Sequence, residues 1–243
     1  MRIAVCLLLA ACGSPAGVEP DAAVVQEPDA SAIDAPPAAT GFGDLSGMCG
    51  VLTSTDLTSA TPELIRATMS FARAYRDPAD RPLLTPGGQH LAETPNAGGS
   101  SGLSEIFAYE ELARCEHADL LKTETEIVYD GTGKITDLEV QFSGTKIGVS
   151  VTRAQAYPLG STYTFDAAST LITRKLNDIQ ASSAHVSAED KWTKQVLAIL
   201  AWDSAAADTM AEAWTMADPS VKADTIVIIT TTNGEDTFIY TNQ

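Results

Sequence analysis

The 243-residue chain predicts an α/β domain built on a mixed sheet. Two observations carry that prediction. Segments in which apolar residues alternate lie among segments in which they recur every three to four residues. Near the end, Ile226-Val227-Ile228-Ile229 is apolar on both faces, as a strand buried between helical layers requires. From Gly41 onward about 200 residues remain, enough for one domain with a substantial core.

The first forty residues are of another kind. Met1-Arg2 places one positive charge before the apolar run from Ile3 to Ala11. That run is too short to span a bilayer, which needs about 20 residues, and it suits a signal peptide over residues 1–11. It ends in Leu9-Ala10-Ala11-Cys12, which resembles the lipobox of bacterial lipoproteins. The resemblance implies cleavage before Cys12 and a diacylglyceryl group on its thiol, an anchor made stable by more than one acyl chain. Gly13 instead of Asp implies, by the same resemblance, the outer membrane. Residues 13–40 hold Glu19, Asp21, Glu27, Asp29 and Asp34, with no Lys, Arg or aromatic residue. Such a segment cannot organise a core and reads as an acidic Pro/Ala tether, with the lipidated cysteine making up residues 12–40. As a flexible coil it would span roughly 30 Å and lift the domain off the lipid.

Within the domain, residues 61–76 suggest a helix through Leu64, Ile65, Met69, Phe71, Ala72 and Tyr75. Asp77-Pro78 ends it. Residues 81–102 read as loop, so 41–102 forms an N-terminal helix-and-loop extension ahead of a core at 103–243. A helix over 103–117 presents Ile106, Phe107, Leu112 and Ala113. Strands follow at 124–129, 135–142 and 146–153. Leu138, Val140 and Phe142 alternate on the second, and Ile147, Val149 and Val151 on the third. Ser143-Gly144 makes a two-residue hairpin, which places Asp137 opposite Ser150. Helices are then expected at 166–180 (N-capped by Asp166), 189–202 and 204–217, with Trp192, Trp202 and Trp214 as core anchors. The buried strand at 226–229 turns at Asn233-Gly234 into an edge strand at 237–240.

The domain carries 27 acidic residues against 14 basic, a net charge of −13. Nucleic-acid binding needs Lys and Arg concentrated on one face, so this balance argues against it, as it does against adsorption to anionic lipid. Of four cysteines, Cys6 leaves with the signal and Cys12 takes lipid. Cys49 and Cys115 remain in an oxidising compartment, where a disulfide is expected to pin the N-terminal segment to the first core helix. A nucleophilic thiol would need a nearby base. A zinc site would need Cys-x-x-Cys spacing, which is absent.

The order helix, three strands, helix, strand over residues 103–229 resembles the αβββαβ core of the restriction-endonuclease-like, or PD-(D/E)XK, superfamily. The resemblance implies a divalent metal such as Mg²⁺ held by an acid on the second strand and an acid-x-Lys on the third, often with a helix glutamate. Asp137 matches the first acid and Glu105 the helix acid. Ser150 stands where the second acid belongs and Thr152 where the lysine belongs. Glu139, on the face of Asp137, is a substitute metal ligand, and Lys175 a substitute cation from the following helix. In the plainer alternative, Asp137 and Glu139 form the wet face of a hairpin and Lys175 snorkels.

Weaker motifs add little. Gly98-Gly99-Ser100-Ser101-Gly102 has the spacing of a nucleophile elbow but lacks the apolar strand before it. His90, His117 and His185 show no metal-ligand spacing. Three functional readings stay open. The first is a lipid-anchored, non-catalytic module that binds a protein partner or small ligand. The second is an active metal-dependent phosphodiesterase, and the third a structural envelope lipoprotein.

Overall fold

The alternation of Leu138, Val140 and Phe142 sets one strand, β4 (Leu138–Phe142), and that of Ile147, Val149 and Val151 sets β5 (Thr145–Ala154). Ser143 and Gly144 join them with φ of 49° and 83°, the left-handed geometry of a tight hairpin. The register runs from Phe142 opposite Thr145 to Leu138 opposite Val149, as expected. The structure is a computed structural model that describes residues 41–95 and 101–241. The signal, lipid and tether expectations for residues 1–40 lie outside the described residues, as do Gly98, Gly99 and Ser100.

The hairpin belongs to a seven-stranded mixed sheet in the order β1-β2-β7-β6-β5-β4-β3. The remaining strands are β1 (Asp44–Gly47), β2 (Glu63–Phe71), β3 (Asp119–Thr123), β6 (Lys194–Ala201) and β7 (Ile226–Gly234). β2, β7, β6 and β5 run parallel to their neighbours in that set. β1 pairs antiparallel with β2, and β4 with both β3 and β5. The helices are α1 (Pro86–Glu93), α2 (Gly102–Cys115), α3 (Phe165–His185), α4 (Ser204–Met216), α5 (Pro219–Lys222) and α6 (Thr237–Thr241).

The sheet is covered on both faces. On one side Ala108, Tyr109 and Leu112 of α2 pack on Leu138, Val140, Val149 and Val151. On the other, Ile172 and Leu176 of α3 and Met210 and Trp214 of α4 pack on Leu197, Ile199, Val227 and Ile229. Phe107 is fully buried, with ring centroids 5.2 Å from Phe71, 5.4 Å from Tyr75 and 5.2 Å from Phe238. Edge-to-face pairs of this kind contribute about 0.5–1.5 kcal/mol each beyond the area they bury.

Several elements differ from the sequence expectation. Residues 61–76 hold β2, not a helix. Ile65, Ala67, Met69 and Phe71 alternate inward, and β2 lies parallel to β7 with Ile65 beside Ile228. The expected N-terminal extension therefore contributes β1 and β2 to the sheet itself. The expected loop at 81–102 contains α1, whose first turn Thr85 caps by accepting from the Gly88 N–H at 3.2 Å. The first strand of the meander is β3, ahead of 124–129. Glu126 accepts from the Thr123 N–H at 2.9 Å and turns the chain there.

α3 begins after Thr164, not Asp166. The Thr164 hydroxyl accepts from the Ala167 N–H, and the helix continues to His185. Residues 189–202 hold β6 instead of a helix, and all eight of its residues are buried. The expected last strand is α6, whose start is braced by Thr232 donating to Asp236 at 2.5 Å. Cys49 and Cys115 form a disulfide across 66 residues. It pins the N-terminal segment to the end of α2, where Glu116 also accepts from the N–H groups of Gly50 and Leu52, each at 3.0 Å.

Candidate functional site

The hairpin register brings Asp137 beside Ser150. The Ser150 hydroxyl donates to Asp137 Oδ2 at 3.0 Å, and the Val151 N–H donates to the same oxygen at 2.6 Å. Lys175 reaches over from α3 and donates to the Val151 carbonyl at 2.9 Å. These contacts have one geometric cause. β4 ends at Leu138, opposite Val149, so the next backbone groups of β5 on that side have no partner strand. Asp137 takes the Val151 N–H and Lys175 takes its C=O, where an open edge would otherwise leave both unpaired. Burial holds the Asp137 carboxyl above the usual carboxylate range, against the opposing pull of the Lys175 ammonium and the two hydrogen bonds.

Other predicted residues go elsewhere. Glu139 is fully buried, and its Oε1 lies 2.8 Å from Lys146 Nζ. That pair sits beside a second one, Lys122 with Asp190 at 2.6 Å, near the start of β6. Trp192 stacks over Gly148 in the same region, so closely that a Cβ on Gly148 would fall 2.5 Å from the indole. Glu139 is thus an ion-pair partner under a tryptophan and not the wet face of a hairpin. Thr152 shares the α3 side of β5 with Ser150 and makes no side-chain hydrogen bond among the described residues. Glu105 lies buried in the first turn of α2, in the opposite layer, where its charge acts on Arg153. The structure therefore brings Asp137, Ser150 and Lys175 together and separates Glu105 and Glu139 from them. Among the described residues no three His, Cys, Asp or Glu side chains converge as a metal-ion cluster.

Beyond Val151 the open edge of β5 continues into a cleft that sequence reasoning did not find. Arg153 near the end of β5 and Gln155 just past it line, with Asp166, Thr170 and Arg174 of the first half of α3, an open volume of about 510 Å³. A signal for it existed. The register would place residue 134 opposite Arg153, yet Gly131 and Gly133 show that the partner strand has not begun there.

No family model matches the chain, and no solved structure matches it. Over 163 residues, 64% of the chain, it is 39% identical to the AAC-rich mRNA clone AAC4 protein of Dictyostelium discoideum. The match covers 24% of that protein, so the chain spans about a quarter of the relative's length. The relative's name describes an mRNA and states no activity.

Proposed function

We propose that this chain is a membrane-anchored lipoprotein, lipidated at Cys12 and held at the outer membrane, whose domain acts by binding and not by metal-dependent phosphodiester hydrolysis. The observation that carries the second half is the occupation of Asp137. Its carboxylate already accepts from Val151 and Ser150, and Glu139 is fully buried with one oxygen, Oε1, ion-paired to Lys146. A divalent ion needs several oxygen ligands free to turn toward it, and one engaged carboxylate supplies too few. The order α2, β3, β4, β5, α3, β6 supports a restriction-endonuclease-like core as the framework, with its site turned to structural use. The export half is supported by the lipobox and by the Cys49–Cys115 disulfide, which is at home in an oxidising compartment. Among the described residues no helix is long and apolar enough to cross a membrane.

Two experiments test the halves separately. Incubated with Mg²⁺ or Mn²⁺, the protein is expected to leave single- and double-stranded DNA and RNA intact. Robust cleavage that disappears in Asp137→Ala would overturn the non-catalytic reading. Expressed in a bacterial host, the wild type is expected in the membrane fraction, with a mature N-terminus at Cys12 and the added mass of lipid. Cys12→Ser should move to the soluble fraction. A wild-type protein with a free Cys12 thiol would defeat the anchor.

A further inference from the structure

Four charged side chains meet where β3 borders β4. Lys122 and Glu139 lie directly across the antiparallel register from each other, and Gly148 lies across from Glu139 on its other side. Lys122 Nζ donates to Asp190 Oδ1 at 2.6 Å, and Asp190 Oδ2 accepts from the Val128 N–H at 2.8 Å. Lys146 Nζ lies 2.8 Å from Glu139 Oε1, while Glu139 Oε2 is buried with no hydrogen-bond partner among the described residues. Both carboxylates are closed to solvent. Trp192 covers Gly148, and its indole is held in place by donating to Ser183 Oγ at 2.8 Å.

Two buried carboxylates lose hydration that two part-exposed lysines repay incompletely. The hydrogen bond to Asp190 holds the Lys122 ammonium above its ordinary range. Burial works to raise the Asp190 carboxyl, but its hydrogen bonds to Lys122 and Val128 outweigh burial and hold it low. The resting pair is therefore charged, and the ammonium must lose a proton before its nitrogen can attack. Glu139 is placed to take it. Its charge acts on Lys122 from the neighbouring strand, and its Oε2 carries no competing donor among the described residues.

We propose that Lys122 and Asp190 condense into an intramolecular isopeptide bond, with Glu139 as the proton carrier. Nζ bonds to Asp190 Cγ, and the Cγ–Oδ1 bond breaks. One of the three ammonium hydrogens stays on the amide nitrogen. Glu139 passes the other two to Oδ1, which leaves as water. Oδ2 becomes the amide oxygen and keeps the Val128 N–H, a donor already aimed at it when negative charge develops there. The step consumes no oxidant or reductant. It removes one charge of each sign and leaves Glu139 and Lys146 as a matched pair. Free in water, an ammonium and a carboxylate do not condense. Held in contact they react at an effective molarity of about 10⁵–10⁸ M, and burial of the carboxyl keeps water from reversing the step. The bond ties edge strand β3 to the segment before β6 across 68 residues. Unlike the Cys49–Cys115 bridge, it survives reductant. The inference does not depend on what the domain binds.

The test is peptide mapping of the full chain after reduction and trypsin digestion. The expected product is a branched species that joins residues 115–134 to residues 176–191, lighter than their sum by one water, with cleavage after Lys122 blocked. Fragmentation should place the link on Lys122 and Asp190, which separates it from dehydration of an aspartate within one peptide. Lys122→Arg keeps the ion pair and should release both peptides unlinked. Glu139→Gln should keep the wild-type circular dichroism spectrum, yet show at least tenfold less linked product at a fixed time after refolding. Recovery of the wild-type peptides unlinked would overturn the proposal, whatever the variants do. A linked fraction unchanged in Glu139→Gln would overturn the proton-carrier role.

Discussion

Loss of the Cys49–Cys115 disulfide is expected to lower the unfolding free energy by about 4 kcal/mol, the chain-entropy value for a loop of this length. The two Cα atoms are 4.7 Å apart and the bond closes 66 residues. That loop contains β2, α1 and nearly all of α2, so its release enlarges the unfolded ensemble of much of the N-terminal half. The folded state keeps a second clamp at the same point, because Glu116 still holds the N–H groups of Gly50 and Leu52. The double substitution Cys49→Ala/Cys115→Ala should therefore fold, with a urea midpoint well below that of the oxidised wild type. Thiol labelling of the unreduced, denatured wild type should find neither cysteine. An unchanged midpoint, or labelling of both sites, would show that the bond contributes nothing.

What the sequence revealed of the fold depended on how each strand is buried. β4 and β5 were legible because one face of each carries Leu, Val and Ile while the other is polar, and Ser143-Gly144 marks the turn. β7 was legible because its first four residues are β-branched and apolar on both faces. β6 has the same double burial, but its sequence Lys194-Gln195-Val196-Leu197-Ala198-Ile199-Leu200-Ala201 is made largely of good helix formers. Periodicity cannot separate a strand buried on both faces from a buried helix, and parallel pairing with β5 and β7 decided it. β2 failed for a related reason. Leu64, Ile65, Met69 and Ala72 satisfy helical spacing, while Ile65, Ala67, Met69 and Phe71 satisfy alternation. Only the non-local contact with β7 chooses between them.

The site was legible to the same depth. Counting across the hairpin places Asp137 opposite Ser150, and the hydrogen bond between them is there at 3.0 Å. Lys175 on the helix after β5 reaches the same spot. The partners that divert other residues are far away in the chain. Lys146 beside Glu139 follows from the register once it is known, but the layer that holds Glu105 depends on which face of the sheet α2 covers. No local pattern states that. The cleft was only faintly marked, by Gly131 and Gly133, because it is defined by where β4 stops, and strand ends are the least legible part of a sequence.

A large pH effect should come from Glu111. Its side chain leaves α2 toward the centre of the sheet, is almost fully buried, and accepts a hydrogen bond from the Thr230 hydroxyl of β7. Burial pushes its carboxyl up to about 7. The Thr230 hydrogen bond opposes that rise, and the nearby charge of Glu116 adds to it. In the unfolded chain the same carboxyl titrates near 4.5. Between those two values the folded protein holds a proton that the unfolded chain has released, so unfolding releases protons and stability falls as pH rises. This contribution is whole below about pH 4.5 and is lost as pH rises through about 7. At roughly 1.4 kcal/mol for each tenfold change in proton affinity, the loss from this one group is about 3 kcal/mol. Other buried carboxyls whose proton affinity is raised, such as Asp137 and Glu110, also contribute to the slope. The measurement is therefore a difference. Denaturant unfolding of the wild type and of Glu111→Gln is followed from pH 5 to pH 8.5. The variant keeps the shape and an acceptor for Thr230 but has no proton to lose. It should match the wild type near pH 5 and exceed it by about 2–3 kcal/mol at pH 8.5, where the wild type must bury an ionised carboxylate. Parallel curves across the range would mean that Glu111 keeps one protonation state throughout.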